Sequence, residues 1–385
     1  NQAAYVTVAY QMKQITNSAI AVGSIGLVEL IPLIVFGLYG GVIADHFNRR
    51  NIVVSSEFGL MCCSIILLIN ASLAHPSSLA LYVVMALASM GDGIQRPSLD
   101  ALNQELVPHE LQREASTLGM FRWTFGAIVG PAIGGFLAVT IGCRFVYILD
   151  VITFGLSLAL LISVRVTLRT PSEGRPSFAS LRDGLTYAVR RRDLLGTYLI
   201  DTAAMLFAYP VALYPFLADA LHSPQSLGLL YSAGAVGAAL ATLTSGWTAR
   251  IKRHGVAVII AASVWGVGIA IVGLVNTLPM ALLGLGIAGA ADMVSGLFRS
   301  LIWNTSIPDH LRGRMAGIEL LSYSIGPQIG QVRSSVSADL FGLKRAFLSG
   351  GVLCVVSVSA LATCLPALRS YRAPLDEQAQ IPAQP

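Results

Sequence analysis

The chain has 385 residues, of which 55% are hydrophobic and 12% charged, and a formal net charge of +5. Soluble domains carry about a quarter charged residues, so a chain this poor in charge cannot coat soluble surfaces. The thin positive charge argues against nucleic acid as a partner, and five cysteines are too few for a disulfide-stapled scaffold. What remains is an all-α, polytopic membrane protein whose large partner is the lipid bilayer.

A membrane-spanning helix needs about 20 mostly apolar residues. In chain order such stretches occupy 21–44, 51–73, 78–106, 113–138, 144–164, 194–218, 225–249, 256–276, 278–306, 314–338 and 346–365. Residues 1–11 are too short to span and read as the outer half of a first helix. The expectation is therefore twelve transmembrane helices, the first truncated, with no cleavable signal peptide at the start. Segment 165–193 is rich in Pro and Arg and then turns amphipathic, with Phe178, Leu181, Leu185 and Val189 at helical spacing, as in an interfacial helix. The domain reading is a six-helix bundle over 1–164, a linker over 165–193, a second six-helix bundle over 194–366, and a tail over 367–385.

Loop cations set the orientation. One set of loops, from Arg49 and Arg50 through Arg113, the 165–192 run, Arg250, Lys252, Arg253, Arg312 and Arg314 to Arg369 and Arg372, far outweighs the opposite set of Lys13, Arg144, Lys344 and Arg345. The positive-inside rule places the first set, and both termini, in the cytoplasm.

The halves repeat. A shift of 200 residues overlays Asp92 on Asp292, Pro108 on Pro308 and Leu111 on Leu311, and Gly130-Pro131 recurs slightly out of register as Gly326-Pro327. Two bundles related by an axis along the membrane normal enclose a cavity between them and move solute by rocking.

Two glycine-bearing segments carry more. GGVIADHFNRR (Gly40–Arg50) joins the second and third spans and carries Gly41, Asp45, Asn48, Arg49 and Arg50. GAIVGPAIGG (Gly126–Gly135) sets Gly126, Gly130, Pro131, Gly134 and Gly135 in the fifth span. Glycines at spacing four let helices approach closely, and proline bends the helix between them. The first segment resembles the loop motif of the major facilitator superfamily, and the second its antiporter motif. Stretches such as YVTVAYQMKQITNSAIAVG and LRGRMAGIELLSYSIG are similar to the enterobactin-exporter branch and its macrolide-efflux relatives. The resemblance implies the two-bundle fold in a bacterial inner membrane, a gating latch at Asp45 and the basic pair, and export of a small molecule.

Ionisable groups inside a membrane are costly and mark function. Asp92 and Arg96 lie four apart on one helical face. Asp92 is the first choice for a proton-carrying carboxylate, with Glu29 and Asp292 as sister sites; a static Asp92–Arg96 pair is the competing reading. Arg122, Arg96 and Asp201 are candidates for the substrate cavity. So are Phe207, Tyr209 and Tyr214 of FAYPVALYPF, a segment that Pro210 and Pro215 should break. Arg122 matches an Arg of the exporter branch, where it could meet an anionic solute, neutralise a carboxylate, or only hold the helix. Asp150 reads as a helix-end residue. No phosphate loop, CxxC or histidine cluster is present, so the expectation is no cofactor, no metal and no enzyme. The reading that the resemblance implies is a monomeric carrier driven by the proton gradient, with a siderophore or a hydrophobic drug as the expected solute. Broad multidrug or macrolide efflux, or carriage of a lysolipid or sugar, stays open.

Overall fold

The structure, a computed structural model, describes residues 2–163, 187, 191–308 and 312–372, less the side chains at 38–46, 100, 101, 104, 105, 109, 312–318, 320 and 321. The amphipathic segment and tail expected around 165–190 and beyond 372 lie outside it. The first-half helices are α1 (Gln2–Thr16), α2 (Ala19–His46), α3 (Arg49–Ser72), α4 (Ser78–Leu106), α5 (Gln112–Thr140) and α6 (Cys143–Ser163). Those of the second half are α7 (Arg192–Ala208), α8 (Leu227–Leu243), α9 (His254–Leu274), α10 (Leu278–Ser306), α11 (Arg312–Phe341) and α12 (Leu343–Cys364).

Ten helices among the described residues are long and apolar enough to cross a membrane. α11 has the length without the apolarity. It packs against α2 and α7, between the two halves, and there it carries Gln328, Gln331, Arg333, Ser334 and Ser335. A helix with little lipid-facing surface does not need an apolar coat.

The repeat is visible in the architecture. α4 and α10 begin and end 200 residues apart, as the overlay of Asp92 on Asp292 predicts. The α5–α6 and α11–α12 turns pass through Gly142 (φ +112°) and Gly342 (φ +87°), again 200 apart, where an L side chain would be strained. Contacts repeat as well: α2 packs on α4 as α8 packs on α10, and α3 packs on α4 and α6 as α9 packs on α10 and α12. The halves meet along two seams related by the same symmetry, α2 with α11 and α5 with α8.

Asn48, at the position where the loop motif favours glycine, needs no left-handed backbone. At φ −60° it caps α3, its side chain accepting a hydrogen bond from the Arg50 amide at 3.0 Å. α7 breaks after Ala208, as its two prolines predict, and resumes as a short helix over Tyr214–Ala220. Trp265 of α9 donates its indole N–H to the carbonyl of Ala208 at 3.0 Å, satisfying a group the break would leave bare.

The two ends of the molecule differ. At the end carrying Lys13, the buried Lys13 ammonium of α1 donates to the Pro215 carbonyl at 2.9 Å and pairs with Asp219, both from the second half. The ring of Phe216 lies 5.5 Å from the same nitrogen. At the Arg-rich end, no residue of α5 from Gln112 to Phe125 is buried. Leu118 (69% exposed), Phe121 (66%) and Trp123 (72%) point in different directions around that helix, so no face of it meets the second half there.

Candidate functional site

A cavity of about 350 Å³ lies among α1, α2, α3, α4 and α6. Three carboxylates line it: Glu29 of α2, Asp92 of α4 and Asp150 of α6. Arg96 of α4, an exposed residue one turn from Asp92, lines it as well. The second half contributes Tyr209, from the break after α7, and Gln328 of α11. Two of the expected proton sites and two of the expected cavity residues, Arg96 and Tyr209, are thus brought together.

Each carboxylate is held differently. The Asp150 side chain is buried and accepts a hydrogen bond from the Ser64 hydroxyl at 2.5 Å. This corrects the helix-end reading, because Asp150 lies well inside α6 and faces the cavity. Glu29 is buried within the α2–α11 seam; its carboxylate accepts from the Gln328 amide at 3.1 Å, and the Ser89 hydroxyl of α4 donates to its backbone carbonyl at 2.7 Å. Asp92 is half-buried and open to the cavity.

Asp292 is placed elsewhere. Its side chain is 41% exposed and lies 3.7 Å from Arg299, one helical turn beyond Gly296 on α10. Arg299 is buried and makes its closer ion pair with Asp201 of α7, which is 4% exposed. Arg299 also lies 6.0 Å from the ring of Trp303, whose indole N–H donates to Thr197. Asp201, expected in the cavity, therefore has its charge matched inside the second half. Tyr209 lines the cavity from the break after α7 and stacks on Trp265 of α9, ring centroids 6.4 Å apart. Tyr214 is buried edge-on against Tyr231, ring centroids 5.1 Å apart, and Phe207 packs on the core of the second half.

Arg122 is exposed and lines a separate pocket of about 550 Å³ with Trp123, Gly126 and, on the far wall, Asp150. Of the loop motif, Gly41 and Asp45 fall among the side chains outside the description. Arg50 donates to the carbonyl of Ile162 at 2.6 Å, tying the start of α3 to the end of α6, and Arg49 is also engaged.

The glycines of α5 divide by task. A Cβ on Gly130 would lie 2.8 Å from Gln2 Cβ, and one on Gly134 would lie 2.5 Å from Ala3 Cα, so these two seat α1. A Cβ on Gly135 would lie 2.4 Å from the backbone nitrogen of Gly228 on α8. That contact, with Ser232 of α8 donating to the Ile128 carbonyl at 2.6 Å, makes the α5–α8 seam. Gly126 has open space around it.

Sequence reasoning missed Gln328, Gln331, Tyr5 and Ser64 as members of these networks. Arg299 carried a signal, being a charge in a span and an available partner for Asp292.

Two repeated helical halves, two symmetric seams and a charged cavity reached from both halves define a carrier of the major facilitator type. The chain belongs to the transmembrane secretion effector family of that superfamily, whose pattern matches residues 2–385. It is 28% identical over 372 residues to the enterobactin exporter EntS of Shigella boydii serotype 18, covering 95% of this chain and 88% of that one. It is 29% identical to the same exporter of Shigella flexneri over equal shares. Among solved structures, a point mutant of the nucleoside transporter NupG superposes with a TM-score of 0.74 at 14% identity, over 94% of this chain and 95% of that one. The D-xylose-proton symporter does so with a TM-score of 0.70 at 15% identity, over 96% of each. The structural likenesses carry the fold. The chain is thus a multi-pass membrane transporter of the major facilitator superfamily, as the loop and antiporter motifs led one to expect.

Proposed function

We propose that the chain is a proton-coupled exporter that moves a siderophore or hydrophobic drug-like solute outward across the bacterial inner membrane by alternating access. The observation that carries this reading is the meeting of Glu29, Asp92 and Asp150 around one cavity, where Arg96 is the one cation among the described lining residues. Carboxylates gathered at membrane depth need protons, cations or water to balance them. A rocking motion that changes their surroundings changes how readily they hold a proton. The similarity to enterobactin exporters supports the outward direction and the siderophore.

In this reading both termini and the Arg-rich end face the cytoplasm, and the chain works as a monomer. The conformation is closed outside by Lys13 and Asp219 and splayed inside at α5. Protons enter from outside to Asp92, with Glu29 and Asp292 as further sites, while the solute binds between the halves near Tyr209. Asp45 with Arg49 and Arg50 forms the inner latch. The energy comes from the proton gradient, without a cofactor.

Inverted membrane vesicles containing the chain test this. With an acid interior they should accumulate solute from a panel that includes a catecholate siderophore and a macrolide, and they should stop when the gradient is collapsed. Asp92→Asn should remove the gradient dependence. Gradient-driven uptake that survives this substitution overturns the assignment to Asp92, and uptake of the macrolide along with unrelated dyes favours broad drug efflux over siderophore export.

A further inference from the structure

The α2–α11 seam is polar where most helix contacts in a membrane are not. Gly23 and Gly26 of α2 let α11 approach so closely that a Cβ would lie 2.2 Å from the Ser335 hydroxyl or 2.6 Å from the Gln328 side chain. Against this face runs a directed chain of hydrogen bonds. Tyr5 of α1 donates to Gln331 at 3.4 Å, Gln331 donates to Gln328 at 2.9 Å, and Gln328 donates to Glu29 at 3.1 Å. Every donor points the same way, and the chain ends on a carboxylate that can only accept while it is ionised.

Resting on the antiport reading above, we propose that Gln328 is a positioning residue that locks the empty carrier: ionised Glu29 holds α11 through Gln328, and occupancy of Glu29 by a proton or by the solute releases it. The logic is that of exchange. An antiporter must change sides with proton or with solute, and must not change sides with neither. A hydrogen bond to an ionised acceptor is about twice as strong as one between neutral groups. Protonation removes the charge, so the Gln328 amide keeps only the weaker bond to a neutral carbonyl oxygen, and it gives Glu29 a hydroxyl that needs an acceptor of its own. A solute group that binds the Glu29 carboxylate displaces Gln328 directly. The other titratable or charged groups around Glu29 among the described residues are Tyr5 of α1, Cys63 of α3, Asp92 and Arg96 of α4, Asp150 of α6 across the cavity, and Tyr209 after α7. Of these, Tyr5 is in the chain itself, and none hydrogen-bonds the Gln328 side chain.

The test needs no knowledge of the solute. Spin labels replace Ile20 on α2 and Leu340 on α11, both exposed and at the same end of the seam, in a variant with all five cysteines replaced. The full chain is placed in lipid nanodiscs without solute, and the distance distribution is read by pulsed electron paramagnetic resonance between about pH 6 and about pH 8.5. Expected is one short distance at the alkaline end and a second, longer population at the acid end, about tenfold enriched there. Gln328→Leu should show both populations at every pH, and Gln328→Asn, a gentler variant that keeps the amide but shortens its reach, should do the same. Glu29→Gln should lose the pH response. The exchanged pair, Glu29→Gln with Gln328→Glu, should regain it, which a merely structural role would not predict. A response that persists unchanged in both Gln328 variants, or is not regained by the exchanged pair, overturns the lock. A parent protein whose distances ignore pH overturns both the lock and the proton-coupled reading beneath it.

Discussion

Arg299 shows what a charge inside the second half requires. Its guanidinium is buried, paired with Asp201 and close to Asp292, and it lies against Trp303. Breaking a buried ion pair from one side leaves the other charge uncompensated, at a cost of about 3–5 kcal/mol, whereas replacing both partners with apolar residues is often nearly neutral. Asp201→Ala should therefore lower the thermal unfolding midpoint in detergent sharply, and Asp201→Leu with Arg299→Met should recover most of it. An Asp201→Ala midpoint equal to that of the parent would remove the pair from the stability of the second half. The sequence marked Asp201, Arg299, Glu29, Asp92 and Asp150 as unusual because a charge at membrane depth is unusual in any context. It offered Arg96 for Asp92 and Arg299 for Asp292, but neither the Asp201–Arg299 pair nor the Glu29–Gln328 contact. Arg299 lies ninety-eight residues from Asp201, and Gln328 is uncharged and carries no signal at all until α2 and α11 are side by side.

Among elements, the helices were the most legible part. The spans 78–106 and 278–306, set by apolar runs, coincide with α4 and α10, because lipid demands a continuous apolar helix and little else satisfies it. α11 was harder to weigh, since its polar face is explained by a neighbour and not by its own sequence. The antiporter motif reads in sequence as five equal residues, yet its glycines do unequal work. Gly135→Ala places a methyl against the Gly228 backbone and must push α5 from α8. Overpacking of this kind costs about 1–3 kcal/mol, and efflux in a cell-based assay should fall roughly tenfold. Gly126→Ala meets nothing within 4 Å and should leave efflux unchanged. Equal loss in both variants would mean that the motif acts through helix flexibility and not through close approach.

At the scale of the molecule, the conformation is defined by where the halves touch. They are fastened along α2–α11, along α5–α8, and at Lys13, while the first half of α5 stands clear. A carrier with one closed end and one open end needs contacts at the closed end that are strong enough to hold and weak enough to break. Lys13 fits that requirement. Its ammonium is shielded by Phe216 and Tyr10, but its partner Asp219 has a side chain 52% exposed to water. Screening by solvent limits such a pair to about 1 kcal/mol, which moves a two-state population roughly fivefold. Lys13→Met should therefore raise the fraction open at the Lys13 end by that factor. The rise can be read as faster alkylation by an impermeant maleimide of a cysteine replacing Tyr231, which sits behind Tyr214 beneath the closed end. Asp219→Asn should have a smaller effect, because Lys13 keeps the Pro215 carbonyl as an acceptor. An unchanged alkylation rate in Lys13→Met would place the closing force in the two glycine seams alone, and Gly135→Ala should then produce the faster labelling instead.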